Sequence, residues 1–248
     1  MRAAGISIVI PARNDAAALA RTLDHLAGVL AAPGAPPTEV IVAASGDRAG
    51  TEAAVAGRAR VLWPDGSTRA ELMNAGAAAA RGAILFFLHA DSFPPRDALG
   101  LIARALADPR AVGGAFEHRF AEPAWSLRAI TGINRLRYRV TRNFYGDQGI
   151  FVRAEVFRVL GGYADLRLLE DVDFTRRLKW TGRSVLIRVP LVTSGRRFLA
   201  RGPWRTFSFC VWLVFLHMLR LPTECYAERW RGPAQAAPGA PWTREAAP

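Results

Sequence analysis

The first hundred residues alternate between short apolar runs and segments whose apolar positions recur at helical spacing. Helical patterns occupy residues 15–30 and 67–81. The runs that predict buried strands are ISIVI (6–10), VIVAA (40–44), RVLW (60–63) and AILFFL (83–88). Continuous apolar runs are typical of strands covered by helices on both faces. We therefore predict an α/β fold with a mostly parallel central sheet and helices on both faces.

Beyond residue 110 the pattern is less regular. The segment GGAFEHRF (113–120) predicts an exposed strand, and IFVR (150–153) and SVLIRV (184–189) predict two more. Helical patterns cover the ranges 125–140, 154–160 and 169–180. The second half should therefore extend the same sheet.

The most apolar segment is WRTFSFCVWLVFLHMLRLP, residues 204–222. Because it holds fewer than about 18 uncharged residues in a row, we expect it not to cross a bilayer. It either packs on the core or lies at a membrane interface with Trp204 and Trp212 near the head groups. The tail 231–248, rich in Ala, Gly and Pro, is expected to be disordered.

The composition narrows the class of protein further. A net charge of +12 comes almost entirely from arginine and is spread along all 248 residues, which argues against a nucleic-acid tract and favours phosphorylated metabolites or anionic head groups as partners. Cys210 and Cys225 lack the spacing of a zinc site. The apolar run at 6–10 is too short for a secretory signal, so we expect a cytoplasmic protein, with peripheral contact at the inner face of the cell membrane left open.

Polar residues follow several predicted strands at their carboxyl ends. Ligands of parallel α/β sheets bind at this edge. His89 and Asp91, two positions apart, should point to the same side of an extended chain and address one object. The segments expected to meet there are 11–14, 45–47 and 89–91.

Six ordered motifs give the chain a resemblance to a known family. They are SIVIPARN (7–14), EVIVAASGDRAGT (39–51), RAELMNAGAAAARGAILFFLHADS (69–92), YGDQGIFVRAEVF (145–157), GGY (161–163) and LLEDVDFTRRLKWTGR (168–183). The chain resembles a family-two glycosyltransferase of the GT-A fold, and most closely the arsenosugar-biosynthesis or selenodomain-associated group. The resemblance implies inverting transfer of a sugar from a nucleoside diphosphate donor to an acceptor that the sequence does not identify.

The resemblance also implies a domain organisation. Residues 1–200 would form the transferase domain, with a nucleotide-binding half (1–110) and an acceptor and catalytic half (111–200). Residues 201–230 lie outside the resemblance and, from their apolar pattern, would form a helical segment that packs on the core or lies at a membrane interface.

His89 and Asp91 stand where the family binds a divalent cation between its acids and the donor phosphates. Mg²⁺ and Mn²⁺ take oxygen ligands and often only one or two carboxylates. Asp91 meets that requirement, whereas His89 replaces the first acid and shifts the preference toward Mn²⁺. Metal dependence therefore stays open, and Asp91 as a cap of the turn before Pro94 is the simpler alternative.

The acidic pair of the family corresponds to Glu170 and Asp171, and by resemblance Asp171 is the base that takes the acceptor's proton. A base of this kind contributes about 10²–10⁴-fold in rate. The alternative is that Glu170, Asp171 and Asp173 only complement the dipole at a helix start, which is worth about 0.3–1 kcal/mol per charge.

Other positions follow from the same resemblance. In the YGDQG loop, Asp147 and Gln148 would face the transferred sugar or the acceptor, and Arg197 would pair with the diphosphate. Each also has a plain structural alternative as a turn or surface residue. The residues expected at the nucleotide are Pro11, Arg13, Asn14, Ser45, Asp47, Arg69 and Asn74.

Departures from the family motif leave two other functions open. Ala44 and Ala49 stand where aspartates are expected, so the base of the donor is not fixed by sequence. A degenerate protein that binds a nucleotide sugar without turnover is one alternative. A basic adaptor at a membrane surface or on nucleic acid is another, although we expect no nucleic-acid partner.

Overall fold

A computed structural model of the chain describes residues 5–227 together with residue 230. The described strands are β1 (Ile6–Arg13), β2 (Thr38–Ser45), β3 (Arg60–Leu62), β4 (Ile84–Phe87), β5 (Ser92–Phe93), β6 (Ala111–Phe120), β7 (Ile150–Arg153) and β8 (Arg183–Thr193). The described α-helices are α1 (Ala16–Leu30), α2 (Arg48–Val55), α3 (Arg69–Ala79), α4 (Ala98–Ala105), α5 (Trp125–Thr141), α6 (Ala154–Val159), α7 (Glu170–Leu178), α8 (Arg196–Arg201) and α9 (Pro203–Met218). The predicted tail 231–248 lies outside the described residues.

The strands form one sheet in the order β3-β2-β1-β4-β7-β6-β8-β5. The first four are mutually parallel, and β6 and β8 are parallel to each other. β7 runs antiparallel to both of its neighbours, and β5 runs antiparallel to β8. The sheet is therefore mixed, and the prediction of a mostly parallel sheet missed two reversed strands.

The reversal of β7 has a simple cause in the chain path. Its first residue, Ile150, pairs with Phe87, the last residue of β4, so the chain enters β7 at the edge where β4 ends. A strand that starts at that edge can only run back across the sheet. An apolar run such as IFVR carries no sign of direction, because its pattern is the same in either orientation.

Side chains on both faces of the sheet are buried, as the continuous apolar runs predicted. On one face Ile8 and Phe86 pack with α1 and α4, and on the other Val9 and Phe87 pack with α3, α6 and α7. Each fully buried side chain of this size contributes about 1.5–3 kcal/mol. The two layers hold the strand ends in fixed positions.

The segment predicted as an exposed strand is buried. β6 lies between β7 and β8, and eight of its ten residues are buried. The prediction was wrong because Glu117, His118 and Arg119 made the segment look solvated. These residues stand instead near the carboxyl edge of the sheet, where His118 is buried and Glu117 pairs with Arg135.

The predicted apolar helix corresponds to α9. Leu213 and Leu216 are buried, whereas Trp204, Trp212 and Phe215 are exposed. Within the described residues, no helix has the length and apolar character needed to span a membrane.

Candidate active site

The carboxyl ends of β1, β2, β4, β6 and β8 lie at one edge of the sheet, and β7 begins there. The parallel register places Arg13 opposite Ser45, each at the end of its strand. The chain that follows each strand can therefore contribute side chains to a common site.

The chain leaves β4 after Phe87 and turns at Ala90–Asp91. The Thr22 hydroxyl donates to the Ala90 carbonyl at 2.7 Å and fixes this turn. The chain turns at this point, yet His89 and Asp91 have one charged neighbour in common, Arg197. His89 also faces Arg69 and α7, whereas Asp91 also stands in the field of Arg196.

Arg69, the first residue of α3, joins several of these groups. Thr68 and Glu71 form a capping box that starts the helix, so Arg69 projects from a fixed position. Its Nε donates to Glu170 Oε1, its Nη1 lies 3.1 Å from His89 Nε2, and its Nη2 lies 3.7 Å from Asp171 Oδ2. We call Arg69, His89, Gly146, Glu170 and Asp171 the Arg69 cluster.

Glu170 and Asp171 open α7 and are both buried. Asp171 Oδ2 accepts the Gly146 amide hydrogen at 2.5 Å, and Oδ1 accepts that of Val172 at 2.8 Å. Burial raises the pKa of Glu170, while Arg69 acts to lower it. A buried carboxylate held by backbone donors and a guanidinium is more than dipole compensation at a helix start requires.

Gly146 begins the 3₁₀ helix Gly146–Gln148 and lies against the cluster. A Cβ atom at this position would stand 2.6 Å from His89 Nε2 and 3.1 Å from Asp171 Oδ2. Only glycine lets the backbone approach both side chains this closely. The glycine of the YGDQG motif therefore has a steric reason at this site.

Charge at the tip of β4 follows from burial and neighbouring arginines. Burial lowers the pKa of His89 well below its usual value, and Arg69 and Arg197 lower it further, so the imidazole is neutral at pH 7. Burial raises the pKa of Asp91, against the opposite effect of Arg196 and Arg197. Arg196 forms an ion pair with Asp15.

The loops after β1 and β2 are fastened to each other. The Asn14 side-chain oxygen accepts from the Asp47 amide at 2.8 Å, and Asp47 caps α2 by accepting from Gly50 at 3.0 Å. Gly46, at a φ of +87°, leaves room for Asn14. These polar groups stand at the edge predicted to hold the nucleoside, together with Pro11, Arg13 and Ser45.

Two predicted site residues have their polar atoms occupied by backbone. Asn74 accepts from the Tyr163 amide and donates to its carbonyl, both at 2.9 Å. Gln148 accepts from the Tyr145 amide and donates to the Phe116 carbonyl, both at 3.0 Å. Both side chains therefore hold loops in place, and neither amide stands ready for a ligand.

His118, to which the sequence assigned no role, lies at this edge beside Asp147. Its Nε2 is 2.7 Å from Thr193 Oγ1 and 3.6 Å from Asp147 Oδ2. The sequence held one sign of this role: His118 is a polar residue two positions before Phe120, where β6 ends.

The residues present fit a divalent cation only in part. Among residues 5–227, no three His, Cys, Asp or Glu side chains are grouped closely enough to hold a metal ion. His89 Nε2 faces a guanidinium, so that nitrogen does not fit a cation. Asp91 fits, as one carboxylate that shares a cation with substrate phosphates.

The chain was compared with protein-family models and with curated protein sequences. A family model described as Glycosyl transferase family 2 matches residues 7–163. Among curated protein sequences, none matches the chain significantly.

Solved structures share the fold. A mannosyltransferase from Pyrobaculum calidifontis, in complex with GDP-Man and Mn²⁺, is 21% identical with a TM-score of 0.57, over 76% of this chain and 56% of that one. Mannosyl-3-phosphoglycerate synthase from Rubrobacter xylanophilus is 18% identical with a TM-score of 0.59, over 96% and 79% of the two chains. Glucosyl-3-phosphoglycerate synthase from Mycobacterium tuberculosis, in complex with Mn²⁺, UDP and glucosyl-3-phosphoglycerate, is 19% identical with a TM-score of 0.57, over 88% and 81%.

TM-scores of 0.57–0.59 at 18–21% identity show a common fold and no more. The chain spans 56% of the Pyrobaculum protein and 60% of the Staphylococcus aureus TarS 1–349 structure, so it is shorter than both.

Proposed function

Because the chain belongs to glycosyl transferase family 2, we propose that it transfers a sugar from a nucleoside diphosphate donor to a hydroxyl acceptor with inversion at the anomeric carbon. The donor would lie across the ends of β1, β2 and β4. The observation that carries this proposal is the buried carboxylate of Asp171, held at the same edge of the sheet by Gly146 and Arg69.

Asp171 is the base in this proposal. The acceptor oxygen attacks the anomeric carbon, its proton passes to the Asp171 carboxylate, and the bond between that carbon and the diphosphate oxygen breaks with its electron pair on the diphosphate. The Gly146 amide and Arg69 orient the carboxylate, and fixed orientation is a large part of such a base's contribution.

Positive charge at the tip of β4 would stabilise the leaving diphosphate. Arg197 stands in the field of Asp91 and Arg69, and Arg196 is paired with Asp15 on the first loop. Guanidinium groups bind phosphates bidentately. A Mn²⁺ or Mg²⁺ ion held by Asp91 would add a second source of positive charge at the same phosphates.

Solved proteins of this fold support the choice of donor class. One is in complex with GDP-Man and Mn²⁺, and another with Mn²⁺ and UDP. We expect this chain to bind a nucleoside diphosphate as well, with Ala44 and Ala49 leaving the base to be found by experiment.

A thermal-shift panel of nucleoside diphosphates with and without Mn²⁺ tests the proposal, because a ligand of the native state raises its stability by mass action. We expect one base to raise the melting temperature, and Mn²⁺ to increase that rise if Asp91 holds a cation. No rise with any nucleoside diphosphate would contradict the donor assignment.

A binding protein without turnover is the second candidate, favoured by His89 facing Arg69 where the family has an acid. It predicts the same thermal shifts with no release of nucleoside diphosphate from any nucleotide sugar across a panel of acceptors. Release that depends on Asp171 would exclude it.

We also propose that α5 and α9 contact an anionic membrane surface. Both helices expose apolar side chains, among them Leu136, Val140, Trp212 and Phe215, and their first turns meet where the rings of Trp125 and Trp204 lie 6.1 Å apart. Neither helix contains Asp or Glu, and each exposes an arginine in its first turn, Arg128 on α5 and Arg205 on α9. Apolar and basic faces of this kind favour anionic interfaces.

Cosedimentation with vesicles of anionic or zwitterionic lipid tests this contact. The double variant Trp212→Glu with Phe215→Glu should no longer sediment with anionic vesicles. The matched control is Trp180→Glu with Val159→Glu, two apolar residues exposed elsewhere. Equal binding by both pairs, or none by the wild type, would contradict the contact.

A further inference from the structure

A cavity of about 210 Å³ lies next to the Arg69 cluster. Gly146 belongs to the cluster, whereas the two following residues, Asp147 and Gln148, line the cavity. Its other walls come from β6, β8 and the inner side of α5. The 3₁₀ helix Gly146–Gln148 thus belongs to both the cluster and the cavity.

Two polar atoms in the wall of this cavity lack partners among the described residues. The His118 side chain is only 4% exposed, and its Nδ1 has no hydrogen bond although Nε2 has one. Arg137 also has an unpartnered buried Nε, while its Nη1 donates to the Asn143 carbonyl at 3.0 Å. Buried polar atoms without partners cost about 1–3 kcal/mol each, so they point to a ligand or ordered solvent.

The charge of the cavity is positive. Four arginines and two carboxylates line it, namely Arg135, Arg137, Arg139, Arg188, Glu117 and Asp147. Arg135 pairs with Glu117 at 3.1 Å. Across residues 5–227, neither Arg139 nor Arg188 forms an ion pair, so two guanidinium groups remain for an anion.

Resting on the proposed transferase function, we propose that this cavity binds the anionic end of the acceptor, a phosphate or carboxylate group on a small hydroxylated molecule. Arg139 and Arg188 would bind the anion, and Arg137 would face it from the wall. Asp147 in the cavity wall directly follows Gly146, whose amide donates to Asp171, and consecutive Cα atoms are about 3.8 Å apart. The proposed acceptor is therefore a molecule of a few carbon atoms, with its anionic end in the cavity and a hydroxyl at Asp171.

NMR of the full chain, with isotope-labelled histidine, tests the cavity directly. The probes are inorganic phosphate and glycerol 3-phosphate, with glycerol as the uncharged control. The sequence has four histidines, so His118 and His89 report separately on the cavity and on the donor edge. We expect both anions to shift the His118 signals and glycerol to leave them unchanged.

The matched variants separate local binding from net charge. Arg139→Gln with Arg188→Gln should weaken both anions at His118 by about tenfold or more, which corresponds to about 1.4 kcal/mol. Arg21→Gln with Arg158→Gln removes the same charge from exposed positions elsewhere and should change nothing. Equal weakening by both pairs, or shifts confined to His89, would overturn the proposal.

Turnover tests the acceptor role. Hydroxy acids and sugar phosphates are assayed by mass spectrometry beside their uncharged counterparts, with the donor found by thermal shift. Products should form from the anionic compounds. The double variant Arg139→Gln with Arg188→Gln should raise the KM for these compounds with little change in kcat. Products only from uncharged acceptors would overturn the acceptor assignment. If anions bind at His118 but no nucleotide binds, the transferase proposal fails and the acceptor assignment fails with it. The anion site itself would then remain supported.

Discussion

The Arg69 cluster and the neighbouring cavity differ in how their polar groups are satisfied. In the cluster, Asp171 accepts two backbone amides and Glu170 is paired with Arg69. In the cavity, His118 and Arg137 each retain an unpartnered buried atom, and Arg139 stands at the rim. One region is complete within the protein, and the other is completed by something it binds.

This difference separates positioning from recognition. A base must keep its geometry during the reaction, so its contacts should exist before substrate arrives. A binding cavity gains affinity only from groups that the free protein leaves unsatisfied. Substitutions in the two regions should therefore fail in different ways.

The largest effect should come from Asp171→Asn. The amide keeps the shape of the side chain and one acceptor for Gly146 but cannot take the acceptor's proton. We expect donor-dependent turnover to fall by about 10²–10⁴-fold, with nucleotide binding retained in a thermal-shift assay.

Asp173→Asn is the matched control for that change, because Asp173 lies on the same helix and pairs with Arg177 at 2.8 Å outside the cluster. Full activity in Asp171→Asn, or an equal loss of activity in Asp173→Asn, would contradict the assignment of Asp171 as the base.

Removal of Arg69 should destabilise the fold as well as the site. Arg69→Gln leaves the Glu170 carboxylate buried without its cation, and an unpaired buried charge costs about 3–5 kcal/mol. Urea unfolding should show this loss, whereas Arg139→Gln at the cavity should change the free energy of unfolding by no more than about 0.5 kcal/mol.

An exposed pair supplies the control for Arg69. Arg48 and Glu52 are 2.9 Å apart with both side chains more than half exposed. Arg48→Gln should cost about 0–1 kcal/mol. Similar losses for Arg48 and Arg69 would show that the Arg69 cluster is not built as a buried unit.

Sequence patterns predicted much of this fold, because a strand buried on both faces has apolar residues at consecutive positions. The runs at β1, β2 and β4 are apolar at every position, and such runs need cover on two sides. Strand direction left no such pattern in β7. β5 is only two residues long and pairs with β8 across a hundred positions of sequence, which no local pattern encodes.

The site was predictable in its members more than in its geometry. The motifs brought Asp171, Glu170, Arg69 and Gly146 to one edge, and the structure joins them. The turn at Ala90–Asp91 was not predictable, because Thr22 fixes it from a distant helix. Gln148 and Asn74 looked like ligand-binding amides, yet their partners are backbone groups that sequence does not reveal.

Gly146→Ala should give a smaller effect than loss of Arg69. The added Cβ would lie 2.6 Å from His89 Nε2, and the 3₁₀ helix would have to move away from the cluster. Overpacking of this kind costs about 1–3 kcal/mol. Urea unfolding measures the cost, and turnover should fall with it because the Gly146 amide no longer orients Asp171.

Gly132→Ala is the control for an added methyl group, since a Cβ at position 132 meets no atom within 4 Å. In a helix, alanine is favoured over glycine, so this variant should be unchanged or slightly more stable. A loss of stability at Gly132 equal to that at Gly146 would contradict the steric argument.

The reactivity of the two cysteines tests whether α9 is buried beside the two regions. Cys210 on α9 stands in the field of both Asp171 and Asp147, one from each region, and burial with these carboxylates raises its pKa to about 12. Cys225 is exposed. Because the thiolate is the reactive form, iodoacetamide at pH 8.5 should modify Cys210 at least about 10²-fold more slowly than Cys225.

The raised pKa of Cys210 also predicts how the free energy of unfolding changes with pH. In the unfolded chain the Cys210 thiol ionises near its ordinary value of 9.0, whereas in the native state it stays protonated until about 12. The native state therefore binds more protons between these values, and its stability should fall as pH rises through that window. Cys210→Ala should remove this part of the slope in urea unfolding between pH 8 and 11, and Cys225→Ala serves as the matched variant. An unchanged slope in Cys210→Ala, together with rapid alkylation of Cys210, would mean that this thiol is not buried beside the carboxylates of the two regions.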